Sequence, residues 1–333
     1  MQPINIESVN KSGSDAVLLL LFPVLMGAGL AMQTAVNSKL QRFTHSAYLA
    51  SGVSFLIAWL FLLLLSIGTH QSLTIPVSVL IHNPLWLWLG GLFGAIALTG
   101  NVILFQKIGS LQTTVLPIMG QIMMSVLIDQ FGLFKSPNNP IMVSKIFGLV
   151  LIVAGVVMSL GVLDTWQGKI EQEAMSAEKR SSTIWYQLFA VAAGAMMAMQ
   201  TAINGTLGVV LKSPIHAAFV SFSIGVFLLL LVNVVISTHF SDVRLAVQQG
   251  KHYWWIWIGG IIGALYILGS SWLVPLIGTG QVVILALFGQ LSFSALIEHF
   301  GLLESVSVRV TRSKAIGLTV MFIGVLVVKF VKF

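Results

Sequence analysis

Gly27–Asn37 reads GAGLAMQTAVN and Gly194–Asn204 reads GAMMAMQTAIN, identical at eight of eleven positions with a separation of 167 residues. Working outward, the separation becomes 169. Gly90, Gly91 and Gly94 match Gly259, Gly260 and Gly263, and Gly120-Gln121 matches Gly289-Gln290. Asp129-Gln130-Phe131-Gly132 then matches Glu298-His299-Phe300-Gly301, and Lys145, Gly148 and Gly155 match Lys314, Gly317 and Gly324. A slip of two residues over a whole half is the mark of a duplicated unit.

The 333 residues are 57% hydrophobic and 8% charged. Soluble domains carry about 25% charge, so the composition excludes an ordinary cytosolic enzyme and points to a polytopic helical membrane protein. With no cysteine, disulfides, thiol nucleophiles and cysteine-bound metals are excluded. A net charge of +7 is spread over the loops rather than gathered into a stripe, which fits membrane orientation and not nucleic acid.

A spanning helix needs about 20 mostly apolar residues, and the chain divides accordingly into ten. The first five are Ala16–Leu40, Ala47–Ile67, Leu85–Gln106, Leu111–Phe131 and Lys145–Leu163. The second five are Ile184–Val210, Ile215–Ser237, Tyr253–Val274, Thr279–Phe300 and Lys314–Phe330. The predicted organisation is a polar N-terminal segment (1–16), a first repeat (17–163), a charged linker (164–183) and a second repeat (184–333). An apolar run that continues well past Ala28 reads as a retained first helix, not a signal peptide. Five is odd, so a tandem copy enters the membrane in the opposite sense. The predicted fold is an all-α membrane protein of ten transmembrane helices in two inverted-topology five-helix repeats, an arrangement common to secondary transporters. Eleven Lys and Arg on the linker side against six on the other place the linker in the cytoplasm.

Small residues four apart, Gly27, Ala31 and Ala35 and their mates Gly194, Ala198 and Ala202, share one helix face and serve close packing. The glycines at 148 and 155, and at 317 and 324, are seven apart and predict a seam, within one chain or between two. Amides in hydrocarbon need partners. Gln33, Asn37, Gln200 and Asn204 therefore either line a polar cavity or bond across helices, and Gln121 and Gln290 pose the same choice. An amide both donates and accepts, which suits a neutral or zwitterionic solute. Asp129 and Glu298 are the two carboxylates inside apolar segments. Reversible protonation would couple transport to protons; capping a neighbouring helix, or pairing with Lys145 or Lys314, is the structural alternative. Trp86, Trp88, Trp254, Trp255 and Trp257 read as interfacial belts, whereas Trp59, Tyr266 and Trp272 lie deeper, where they could stack on a solute. Phosphate-loop, zinc-helix and nucleophile-elbow motifs are absent from the sequence, so neither an enzyme, a cofactor nor a metal site is expected.

Together, the G-A-x-x-A-M-Q-T-A-[VI]-N first helix, the G-G-x-x-G third, the G-Q fourth ending in [DE]-x-F-G and the Lys-x-x-Gly fifth resemble the YdcZ-like family of the drug/metabolite transporter superfamily, in its fused two-repeat form. The resemblance covers both halves. It implies a multi-pass bacterial inner-membrane exporter of small metabolites or drugs, with a cavity between the halves. Small multidrug antiporters of that superfamily carry an acid in their first helix, where this chain has Gln33. The function expected is secondary transport by alternating access, with a small-molecule substrate and the lipid bilayer as partners, proton coupling through Asp129 and Glu298, and a homodimer left open. A non-transporting scaffold or lipid-handling protein is the alternative.

Overall fold

A computed structural model describes residues 13–71, 73–140, 142–159, 177–305 and 310–330, and these are helical with no strand among them. Most of the predicted linker and the first twelve residues lie outside the described residues. The helices are α1 (Gly13–Thr44), α2 (Ala47–Gly68), α3 (Val77–His82), α4 (Gly90–Phe131) and α5 (Val143–Ser159). They continue with α6 (Ala177–Val210), α7 (Pro214–Val235), α8 (Val243–Gln248), α9 (Gly259–Ile277), α10 (Thr279–Phe300) and α11 (Arg312–Phe330). Local chemistry repeats with the sequence. Ser46 caps α2 by accepting from the Leu49 N–H, and Ser213 caps α7 by accepting from His216 N–H, each at 3.2 Å; a cap of this kind stabilises a helix start by about 1 kcal/mol.

Six segments among the described residues are long and apolar enough to cross a membrane: Leu19–Thr44, Ala47–Gly68, Ile184–Val210, Pro214–Val235, Gly250–Ile277 and Thr279–Phe300. Leu116–Phe131 and Lys145–Ser159 are apolar but shorter. Leu25, Leu64, Phe227 and Val235 present bare hydrocarbon outward, as a lipid-facing surface does.

One boundary differs from expectation. The predicted third and fourth spans form one helix, α4, with no loop between them, whereas their counterparts α9 and α10 are parted at Gly278, whose φ of 86° favours glycine. Even so, α4 is no straight rod. A Cβ added at Gly100 would touch the ring of Phe189, and Pro117 abuts Gly194. Seventeen residues of straight helix would separate those α4 positions by about 26 Å, but their partners on α6 are only five residues apart, so α4 bends between them. The α-helical parts of the third and eighth spans begin at Gly90 and Gly259, each after a 3-10 stretch. The tryptophans before them lie in 3-10 turns, Leu85–Trp88 and Gly250–Trp257.

Glycine faces hold the bundle together. A side chain at Gly27 would collide with the Ala286 carbonyl of α10, and one at Gly194 with the Pro117 carbonyl of α4. Gly289 meets the Val24 carbonyl as Gly120 meets that of Val191. In each case α1 or α6 packs on the opposite repeat's fourth helix. The 148/155 and 317/324 glycines form a seam within the chain: Gly155 approaches Met321 N and Gly317 O at 2.5 and 2.6 Å, and Gly324 approaches the Gly148 carbonyl at 2.8 Å, measured from an added Cβ. Because 148 faces 324 while 155 faces 317, α5 and α11 run antiparallel.

Candidate functional site

The amides of α1 and α6 rest on glycines of the other repeat. Gln200 lies 2.6 Å from where a Gly94 Cβ would be, and Gln33 2.5 Å from that of Gly263. One turn further on, Asn204 covers Gly90 and Asn37 covers Gly259. Asn204 is 0% exposed, and neither its Oδ1 nor its Nδ2 has a hydrogen-bond partner among the described residues; Asn37 Oδ1 is likewise unpartnered. Unsatisfied buried polar atoms are uncommon, and here they recur at symmetric positions. Gln121 and Gln290 are half-buried, each directly after the glycine that meets a carbonyl of α6 or α1.

Trp59 is engaged inside the bundle, donating its indole N–H to Ser223 at 2.9 Å and stacking on Phe219. Trp272, expected to lie deep, is instead on the outer face, 37% exposed, and meets the exposed Phe22 edge-on at 5.8 Å. Tyr266 is buried and its hydroxyl lies beside Thr201 of α6, whose own hydroxyl donates to the Met197 carbonyl at 3.0 Å. Thr201 directly follows Gln200, so this cross-repeat contact adjoins the amide layer. Sequence reading passed over Thr201, although its place in the repeated Gln-Thr-Ala could have flagged it.

The two acids have different surroundings. Asp129, 6% exposed, accepts from the Gly280 N–H at 3.0 Å at the start of α10; a carboxylate there meets the positive end of the helix dipole. Its Oδ1 has no hydrogen-bond partner among the described residues. Around it, the hydroxyls of Ser136 and Thr279 bond at 2.9 Å, and Lys145 donates to Asn139 Oδ1 at 2.5 Å and to the Pro140 carbonyl at 2.7 Å. Glu298 instead pairs with Lys314 at 2.6 Å, its side chain 39% exposed. Asp129 thus caps a neighbouring helix and Glu298 takes a lysine, two structural roles that coexist with any part in coupling. Thr279, Gly280 and Asn139 were not singled out from the sequence, since the spacing along α4 says nothing about which helix start lies opposite.

Two hollows lie side by side along α10. A small polar one, about 40 Å³, is lined by Asp129, Asn139, Lys145 and Gly280. A larger apolar one, about 170 Å³, is lined by residues of α1, α10 and α11, among them Leu21, Val24, Phe288 and Phe322. Gln281, Ile284 and Val328 border both. None of the six candidate amides lines either hollow. Among the described residues no group of three His, Asp or Glu could hold a metal ion.

Long apolar helices, hydrocarbon outer faces and buried amides define a multi-pass membrane protein. Residues 18–158 and 185–327 each match the family described as "Putative inner membrane exporter, YdcZ". The chain belongs to that family, in its two-repeat form, which places it among inner-membrane transporters rather than in an enzyme class. No curated relative matches the sequence. A solved structure titled only "Crystal structure of protein" is 17% identical, with a TM-score of 0.65 over 96% of this chain and 97% of that one. At that identity the likeness is one of fold.

Proposed function

We propose that the protein is a secondary exporter of a small organic solute, moving it by alternating access between two inverted-topology repeats of five membrane-spanning helices each, with the central linker in the cytoplasm. One observation carries the reading: Asn204 and Asn37 keep unpartnered polar atoms buried at symmetric positions, each against a glycine of the opposite repeat. Leaving such groups unsatisfied costs about 1–3 kcal/mol each, a cost that tight packing alone gives no reason to retain twice. In a state where α1 parts from α9, or α6 from α4, the same amides face the opening and bind solute. Glycine makes the separation inexpensive, because no side chain has to be withdrawn. Gln33 and Gln200 supply further contacts, Gln121 and Gln290 flank the layer, and Asp129 and Glu298 are the coupling groups.

Reconstitution in liposomes tests this, with a panel of small metabolites and drugs and with or without an imposed proton gradient. The expected result is gradient-dependent movement of at least one compound, abolished when Gln33 and Gln200 are both changed to Leu in a protein that still folds. Unchanged movement in that variant removes the amide layer from the pathway. Asp129→Asn with Glu298→Gln removes the dependence on the gradient; full retention of the dependence refutes coupling through these acids.

A further inference from the structure

Asn37 covers Gly259 from near the end of α1, and two residues further on Lys39 reaches across to the second repeat. Its Nζ donates to Glu304 Oε2 at 2.5 Å and stands 5.2 Å from the ring centroid of Phe43 and 5.1 Å from that of Tyr253. The two rings meet edge-on at 5.0 Å, and the Tyr253 hydroxyl donates to the same Oε2 at 3.5 Å. Ammonium, carboxylate and rings act together, because an aromatic face attracts a cation. Lys39 and Phe43 belong to α1, whereas Tyr253 precedes α9 and Glu304 follows α10. The cluster therefore bridges the two repeats.

The repeat mates hold the other crossing with different chemistry. Thr206 stands on α6 where Lys39 stands on α1, and it donates to the Phe134 carbonyl, with Trp86 edge-on to the Phe134 ring at 5.4 Å. Lys135, the mate of Glu304, is exposed, so the turn offers no carboxylate there. One crossing is tied by a full charge pair and the other by a neutral hydrogen bond.

We propose that Lys39, Glu304, Phe43 and Tyr253 form a charge latch that holds α1 against α9, and that the α6–α4 crossing has no such latch. The proposal rests on the exporter reading, in which the parting of α1 from α9 uncovers Asn37. That movement takes Lys39 away from Glu304 and Tyr253 at once. The Glu304 side chain is 44% exposed, and salt weakens a pair that water can reach; the Thr206 bond has no net charge to screen. Dissolved ions thus loosen one opening and leave the other as it is.

The chain has no cysteine, so a single introduced thiol reports each crossing. Val36 lies 3.1 Å from where a Gly259 Cβ would be, and both Val36 and its mate Ile203 are 0% exposed. A thiol at either position reacts with N-ethylmaleimide only when its crossing opens. The measurement uses the full chain in lipid nanodiscs at one fixed pH, with no solute or gradient. Val36→Cys should label at least threefold faster once Lys39→Met or Glu304→Gln is added, whereas Lys39→Arg, which keeps the charge, keeps the slow rate. Raising KCl from about 0.05 M to about 0.5 M, which shortens the screening length, should speed labelling of Val36→Cys at least twofold. The same change should do nothing once Lys39→Met is present and nothing to Ile203→Cys. Because Glu304 is half in solvent, Glu304→Gln carries the test should Lys39→Met fail to fold. Labelling of both thiols at rates indifferent to Lys39, Glu304 and salt overturns the latch and spares the exporter reading, and equal acceleration of Ile203→Cys by salt also overturns the latch. No labelling at Val36 even with the latch cut overturns it too, and none at either position overturns the exporter reading with it.

Discussion

Asp129 and Glu298 occupy the same position in the two repeats, three residues before the αL glycine that ends the helix, yet one is buried on a helix start and the other is half in solvent with a lysine. The surrounding backbone has stayed alike. Gly132 and Gly301 both close their helices at φ near 60°, and Phe134, Lys135, Leu303 and Glu304 all keep positive φ. Duplication has thus preserved backbone where glycine meets carbonyl and let side-chain chemistry diverge where it does not. A second divergence lies in the same turns. Glu304 takes Lys39 of α1 at 2.5 Å, while at the counterpart Thr206 donates to the Phe134 carbonyl.

The largest effect is expected where the repeats agree. Gly27→Ala and Gly194→Ala each drive a methyl into a backbone carbonyl that cannot swing aside, costing roughly 3 kcal/mol, the upper end of overpacking penalties. Thermal unfolding in detergent should show equal losses for the two variants; a loss in only one breaks the equivalence of the two crossings. The acids come next. Asp129→Ala removes a helix cap and should cost about 1–2 kcal/mol, whereas Glu298→Ala breaks a half-exposed pair worth less than about 1 kcal/mol. Equal losses by thermal unfolding would mean that the two acids share one role after all.

Smallest is the effect at Glu304. Hydrogen bonding to the Lys39 ammonium holds its carboxyl below the usual carboxylate range. A depressed native pKa stabilises the fold above the unfolded value, about 4.3, and that contribution disappears as pH falls through the native value. Glu304→Gln should therefore flatten the acid limb of the melting temperature slightly, while Thr206→Val leaves that limb unchanged; a shift of the limb by Thr206→Val would contradict the assignment.

The repeat was legible because its strictest positions are glycines and amides at contacts that backbone geometry enforces. Gly90, Gly94, Gly259 and Gly263 are spaced in sequence as they lie under Asn204, Gln200, Asn37 and Gln33. The pairing of Glu298 with Lys314 was also open to sequence reading, since the motif carries both residues. The partner of Asp129 was not, because spacing places a residue on a helix face but leaves unspecified which helix end comes opposite. Nor could spacing separate a seam within the chain from a dimer contact at Gly148 and Gly155. The missing loop in α4 escaped for a related reason. Its charged and glycine residues resemble a breaker, and a bend that keeps helical hydrogen bonding leaves the same trace in sequence as a turn.

The antiparallel α5–α11 seam has a consequence for the order of synthesis. The closing helix of the first repeat emerges from the ribosome long before the helix that covers its glycines, because α11 ends the second repeat. Until α11 arrives, the backbone around Gly148 and Gly155 lacks its mate, and a first repeat made alone would carry that bare strip into the membrane. The two halves therefore mature together: the newborn first repeat is an unfinished part, completed only when the last helix is threaded in beside it.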